Sequence, residues 1–191
     1  MKWQWTKLCK KSKTVGKSTQ LRLDEKAFNR QRKLGAKNIL RIILWRIYQS
    51  LQLCLGKYFD EIGGMTANKQ AFSKARKNLN PEYVRSFVDG TSKIAAADKD
   101  KPTYNGMPLI AIDGSDVALE NTAELKEAFG CSGSKKDAAT AGISIAFDPL
   151  SNSIYDCRID RYDTDERTLA KAHVIRLSEL GMHGSVLLFD P

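Results

Sequence analysis

Cysteine, histidine and proline are scarce in this chain of 191 residues, which holds four, two and five of them. Cys9, Cys54, Cys131 and Cys157 lie far apart and form no CxxC pair. That spacing offers neither a zinc module nor a dense disulfide framework, and a reducing, intracellular setting is expected. Long apolar runs are missing too. The longest strongly apolar stretch, Ile39 to Leu55, is interrupted by Arg41, Arg46, Gln49 and Gln52. This excludes an ordinary spanning helix and, with its internal position, a cleaved signal peptide, so no membrane segment is expected.

What is present suits one or two folded domains: 42% of residues are hydrophobic and 28% charged. The net charge of +9 is unevenly spread. Residues 1–107 hold 23 Lys and Arg against 8 Asp and Glu, a net +15, whereas residues 108–191 hold 8 against 14, a net −6. The asymmetry suggests a polyanion-binding front joined to a part that holds cations or displays a solvated acidic face.

Residues 1–23 read as a flexible basic arm, with Lys2, Lys7, Lys10, Lys11, Lys13 and Lys17 set among Ser and Thr. Such an arm can contact phosphates without specifying bases, and a solubilising tail would have the same composition. Residues 24–91 read as a helical domain. From Asp24, apolar residues including Ala27, Leu34, Ile39, Ile42, Ile47, Leu51 and Leu55 keep one face, with a break at Gly35 and an end at Gly63-Gly64. Thr66 or Asn68 then caps a short helix bearing Phe72, Ala75 and Leu79, whose exposed sides offer Lys69, Lys74, Arg76 and Lys77. Asn80-Pro81-Glu82 opens another helix through Tyr83, Phe87 and Val88. Two short helices and a tight turn, the first rich in Lys and Arg, are compatible with a helix-turn-helix DNA reader. A helical bundle with a basic solvated face fits the same letters. Residues 92–107, polar and turn-rich, read as a linker.

The remainder, residues 108–191, changes period. Pro108-Leu-Ile-Ala-Ile112 reads as a buried strand that delivers a carboxylate to the loop Asp113-Gly114-Ser115. Leu119 to Phe129 is expected to contain a helical turn closed by Gly130. Residues 141–147 and 153–159 form an antiparallel pair around the turn 148–152. Thr164 to Leu180 has helical spacing, with Thr164 as its cap and Ile175 extending its apolar face, and Ser185 to Phe189 is a final buried strand presenting Asp190.

If the first and last strands are parallel neighbours, Asp113 and Asp190 share one carboxyl edge of a sheet. Paired carboxylates there can bind one or two Mg²⁺ ions, which activate an attacking water or hydroxyl and stabilise the leaving oxygen of a phosphodiester. Loop-edge aspartates that merely cap or solubilise look alike. Asp116, Asp148, Asp156, Asp160, Asp163 and Asp165 read as turn or surface residues. His173 reads as a partly buried or surface histidine and His183 as exposed, neither in a nucleophile triad.

Three blocks carry a resemblance: Gln70-Ala-Phe-Ser-Lys-Ala-Arg-Lys-Asn-Leu79 followed by Pro81, then Leu109-Ile-Ala-Ile-Asp-Gly-Ser115, then Val186-Leu-Leu-Phe-Asp190. With the helical block from Gln31 to Asp60, the chain over residues 25–190 resembles the N-terminal half of bacterial DDE transposases of the insertion-sequence four type. The resemblance implies an α+β fold, an N-terminal helical DNA-binding region followed by an incomplete ribonuclease-H-like mixed α/β core. It implies Asp113 and Asp190 as the first two catalytic, metal-binding carboxylates and Mg²⁺, or Mn²⁺, as cofactor. The partner it implies is double-stranded DNA at transposon terminal inverted repeats, cut and joined by metal-dependent hydrolysis and strand transfer in the cytoplasm at the nucleoid. In the family the motif continues with Arg, Gly and Tyr and a later catalytic Glu. Here Pro191 follows Asp190 and ends the sequence, so the isolated chain is expected to hold metal loosely and to be inactive. An open sheet edge then implies low solubility or a covering partner, self-association included. A non-catalytic DNA-binding regulator of transposition is the competing reading, and the product of a decayed gene a third.

Overall fold

The computed structural model describes residues 21–24, 26–28, 34–45, 50–133 and 137–189. The chain divides into two compact units, residues 1–87 and 88–191. Residues 1–20 of the expected arm lie outside the described residues. Its last three do not belong to an arm: Leu21 is fully buried, and Leu21–Leu23 pair with Asn78–Asn80 around an antiparallel bridge between Arg22 and Leu79.

Where the helical spacing is expected to begin, at Asp24, the described residues form a turn. The Asp24 carboxylate accepts the amides of Lys26 and Ala27 at 2.7 and 2.8 Å, a local turn that competes with a helix. The first helix among the described residues, α1 (Ala36–Trp45), starts directly after Gly35, the expected break. Helix α2 (Leu51–Glu61) is capped by Ser50, whose side chain accepts the Leu53 amide, and stops before Gly63, which adopts a positive φ of 69°. Helix α3 (Lys69–Arg76) is capped by Asn68, one of the two expected candidates. It ends before Leu79, which packs from the bridge instead. Ile39, Ile42, Leu55, Phe59 and Phe72 meet with Leu21 in the core of this unit, the burial expected from spacings of three and four residues.

Helix α4 (Pro81–Ala96) starts with proline, as expected, and the Asn80 side chain accepts the Glu82 amide. It runs on past the expected boundary at residue 91. Ser92 is buried, its hydroxyl 3.0 Å from the Val88 carbonyl and 3.1 Å from that of Ile154, and Ala95 and Ala96 pack on the core of the second unit. Residues 92–96, read as the start of a linker, are thus the last turns of a helix. The linker reading fails there because Ser92 satisfies its hydroxyl within the helix and against a strand, so a polar letter marks no loop.

The second unit is built on a mixed sheet. Strand β1 (Leu109–Ala118) pairs antiparallel with β3 (Ala138–Asp148), which pairs antiparallel with β4 (Ser153–Arg161) and, at its start, with the two-residue β2 (Cys131–Ser132). On its other side β1 pairs in parallel with β5 (Val186–Phe189), in register from Leu109↔Val186 to Ile112↔Phe189. The first and last strands are therefore parallel neighbours. Helix α5 (Ala123–Phe129) sits between β1 and β2 and is closed by Gly130, as expected. Helix α6 (Glu166–Glu179) links β4 to β5 and packs on one face of the sheet, where Leu177 and Met182 join Ile110, Ile112, Ala146 and Tyr155 in the second core.

Three details differ from the expectation. Strand β1 does not end at Asp113 but continues to Ala118, because β3 pairs with it along its whole exposed half. The cap of α6 is Asp165, whose carboxylate accepts the Thr168 amide, not Thr164. The helix also buries a different face: His173 and Leu177 are inside, while Ile175 is 62% exposed. In β4 a register shift leaves Tyr155 unpaired between Ile154, opposite Phe147, and Asp156, opposite Ala146. Such a bulge re-aims side chains, and Tyr155 and Asp156 both reach the face covered by α6. No described helix is long and apolar enough to cross a membrane.

Candidate functional site

Asp113 sits at the centre of β1, where the buried part of the strand gives way to its exposed part. Side chains alternate along a strand, so Ile110 and Ile112 face the helix-covered core and Asp113 faces the opposite, open side. Its register partner on β3 is Ile145, whose own partner on β4 is Cys157. The carboxylate is exposed and its Oδ1 accepts the following amide, Gly114, at 2.8 Å. Among the described residues of this face, Ile154, Ile159 and Leu188 are each about half exposed.

The second expected carboxylate, Asp190, lies outside the described residues. The last described pair of the β1–β5 ladder is Ile112↔Phe189, one residue before each aspartate in the sequence. Among the described residues no group of three acidic, His or Cys side chains is placed to hold a metal ion. Asp113 by itself offers a hard carboxylate donor of the kind Mg²⁺ takes, but a lone carboxylate is not a metal site.

The four basic residues expected to face DNA, Lys69, Lys74, Arg76 and Lys77, are all exposed on or at the end of α3. Between Glu61 and Glu82 the chain has no acidic residue. The start of α3 is fixed from α2 by Gln52, a residue that sequence reasoning passed over. Its side-chain amide donates to the Ala67 carbonyl at 3.3 Å and accepts the Lys69 amide at 3.0 Å, satisfying one of the helix's free N–H groups.

Sequence reasoning also missed a buried polar cluster in the second unit. His173 is fully buried in α6, its Nδ1 2.8 Å from Asp156 Oδ2 on β4 and its Nε2 2.9 Å from Ser144 Oγ on β3. The same Asp156 oxygen accepts from Arg158 Nε at 2.8 Å, and the Arg158 guanidinium donates to the Ala172 carbonyl at 3.1 Å. Burial opposes ionisation of Asp156, yet the His173 hydrogen bond and the Arg158 charge outweigh it and hold the carboxyl below the usual range. His173, expected as a partly buried or surface histidine outside any triad, is the middle of a Ser–His–Asp chain of hydrogen bonds. No signal in the letters finds it, since 29 residues separate Ser144 from His173.

The chain matches no family model, no curated protein and no solved structure.

A third polar group lies at the β3–β4 turn. Asp148 is fully buried and accepts the amides of Leu150 and Ser151 at 2.8 and 3.1 Å, with Tyr155 Oη 3.4 Å away. Burial, reinforced by the Asp148 charge, pushes the Tyr155 phenol up to about 12. These contacts close the turn between the two strands.

Proposed function

We propose that the chain is the first part of a DDE-type transposase: a helical unit that binds double-stranded DNA through α3, followed by the opening strands of a ribonuclease-H-like phosphoryl-transfer core. The observation that carries this reading is the parallel pairing of β1 with β5, ending at Ile112↔Phe189, since both strands lead in the sequence into an aspartate. In this reading Asp113 and Asp190 meet at one edge on the open face and supply oxygen donors to a divalent cation, whose chemistry would be to activate the attacking oxygen and neutralise the leaving one. The strand order supports it: strand with acid, antiparallel pair, helix, parallel strand with acid. The described residues alone do not complete such a metal site. The chain's own residues contribute phosphate contacts from Lys69, Lys74, Arg76 and Lys77, and one carboxylate at a fixed strand position.

Mn²⁺ titration of the full chain followed by NMR tests the reading. Paramagnetic broadening is expected at Asp113, Gly114, Leu188 and Phe189 and is lost in Asp113→Ala. Broadening spread over the acidic surface, unchanged by that substitution, would overturn the catalytic half. The run without acidic residues from 62 to 81 also favours a second reading, a DNA-binding regulator that occupies transposon ends without cutting. Under it, duplex binding weakens with salt, is insensitive to Asp113→Ala, and no localised Mn²⁺ site exists.

A further inference from the structure

We propose that His173 is a positioning residue for Asp113, clamping from the covered face of the sheet the two register positions that flank that carboxylate. The proposal rests on reading Asp113 as a metal-binding group. Ser144, which holds His173 Nε2, stands opposite Gly114, the residue after Asp113. Asp156, which holds Nδ1, stands opposite Ala146, and Ala146 stands opposite Ile112, the residue before Asp113. One imidazole therefore bridges β3 and β4 on either side of the register position of Asp113, while the carboxylate itself projects to the open face. Arg158 closes the clamp by binding both Asp156 and the carbonyl of Ala172, the neighbour of His173, so a slip of α6 along the sheet breaks several hydrogen bonds at once.

The chemistry of the three groups sets the protons. An ionised Asp156 can only accept, so Nδ1 carries a hydrogen, and Nε2 of a neutral ring then accepts the Ser144 hydroxyl. The trio has the connectivity of a hydrolytic triad. Burial gives it a different role, because Ser144 is 5% exposed and His173 not at all, so no acyl group reaches the hydroxyl. What remains is orientation, a polar cluster with every member satisfied that fixes one packing of helix on sheet.

Long-range ¹H–¹⁵N spectra of the full chain read the His173 tautomer directly, and the expected result is Nδ1 protonated and Nε2 bare. His173→Phe fills the ring's volume without its hydrogen bonds. In that variant the amides of Asp113 and Gly114 are expected to shift more than those of Leu109 and Val117 near the strand ends, with His173→Gln restoring part of the difference. A wild-type ring bare on Nδ1 overturns the proposal, as does a folded His173→Phe chain whose Asp113 and Gly114 amides do not move or, where Mn²⁺ binds at Asp113, whose Mn²⁺ affinity equals that of the wild type. Should His173→Phe fail to fold, Ser144→Ala serves: shifted Asp113 and Gly114 amides support the clamp and unmoved ones overturn it. The tautomer and the amide shifts need no metal, so they remain readable if Mn²⁺ fails to find Asp113, a result that strikes the metal reading alone.

Discussion

Nε of Arg158 lies 2.8 Å from Oδ2 of Asp156, the oxygen that also faces the ring of His173. Because this carboxyl titrates below an ordinary aspartate, its ionised form is bound more tightly in the folded chain than in the unfolded one. The stability it contributes is complete above the unfolded value, about 4, and is lost as pH falls from there through its lower native value. Melting temperature measured against pH should therefore drop on the acid side. In Asp156→Asn that acid limb is expected to flatten while the neutral-pH melting temperature falls. An acid limb as steep as the wild type's would show that Asp156 does not supply it.

Asp89 adds to the same limb. Its hydrogen bond with Lys93 at 2.7 Å and the charge of Arg176 hold it low against the opposing effect of burial. Since both partners of the Asp89–Lys93 pair are substantially exposed, the share is small and salt should screen it. Raising ionic strength is expected to reduce the effect of Asp89→Asn more than that of Asp156→Asn in the same melts.

The start of α6 offers a test at one residue's resolution. Asp165→Ala removes the cap that accepts the Thr168 amide and should cost about 1 kcal/mol in urea unfolding. Thr164→Ala, one position earlier, should stay within about 0.5 kcal/mol. The reverse order would place the cap at Thr164.

Gly130 follows α5 with a φ of 89°, and a Cβ built there would lie 2.8 Å from Cδ1 of Tyr162 and 3.2 Å from a guanidinium nitrogen of Arg161. Gly130→Ala thus meets both a disfavoured backbone and an occupied space, and a loss of about 2 kcal/mol is expected. A neutral substitution would mean that the Tyr162 ring swings away freely.

On the basic helix, Lys74→Gln and Lys77→Gln should each lower the slope of log affinity against log salt for duplex DNA by about 0.9, one released counterion per phosphate contact. Both substitutions should leave the melting temperature unchanged, since both side chains are exposed. Unaltered slopes would take these lysines off the DNA.

How far the letters carried depends on what each element needed. Strand β5, the β3–β4 pair, the stop at Gly63 and the start at Pro81 were legible, because apolar runs and turn residues act locally. The length of β1 was not: Asp113-Gly-Ser115 has the composition of a turn, and only the facing strand β3 keeps it extended to Ala118. The inward face of α6 was misread for a related reason. Ile175 has the apolar letter and His173 the polar one, yet His173 goes inside because Asp156 and Ser144 await it there, partners that no local pattern reveals. Asp113 stands out at the end of an apolar run on one strand, whereas the clamp beneath it needs three elements.

The unpaired residue in β4 divides that strand into two phases of alternation. Ile154 shares the open face with Cys157 and Ile159, three and five residues on, so a two-residue rhythm read straight through the strand places either its first half or its second on the wrong side. A lineage that lost the single codon for Tyr155 would take one phenol from the core and restore a plain alternation, with Ile154 still outward opposite Phe147 and Asp156 still inward opposite Ala146. A deletion should thus be absorbed at this point, where the ladder already holds a spare residue, more readily than elsewhere in the strand.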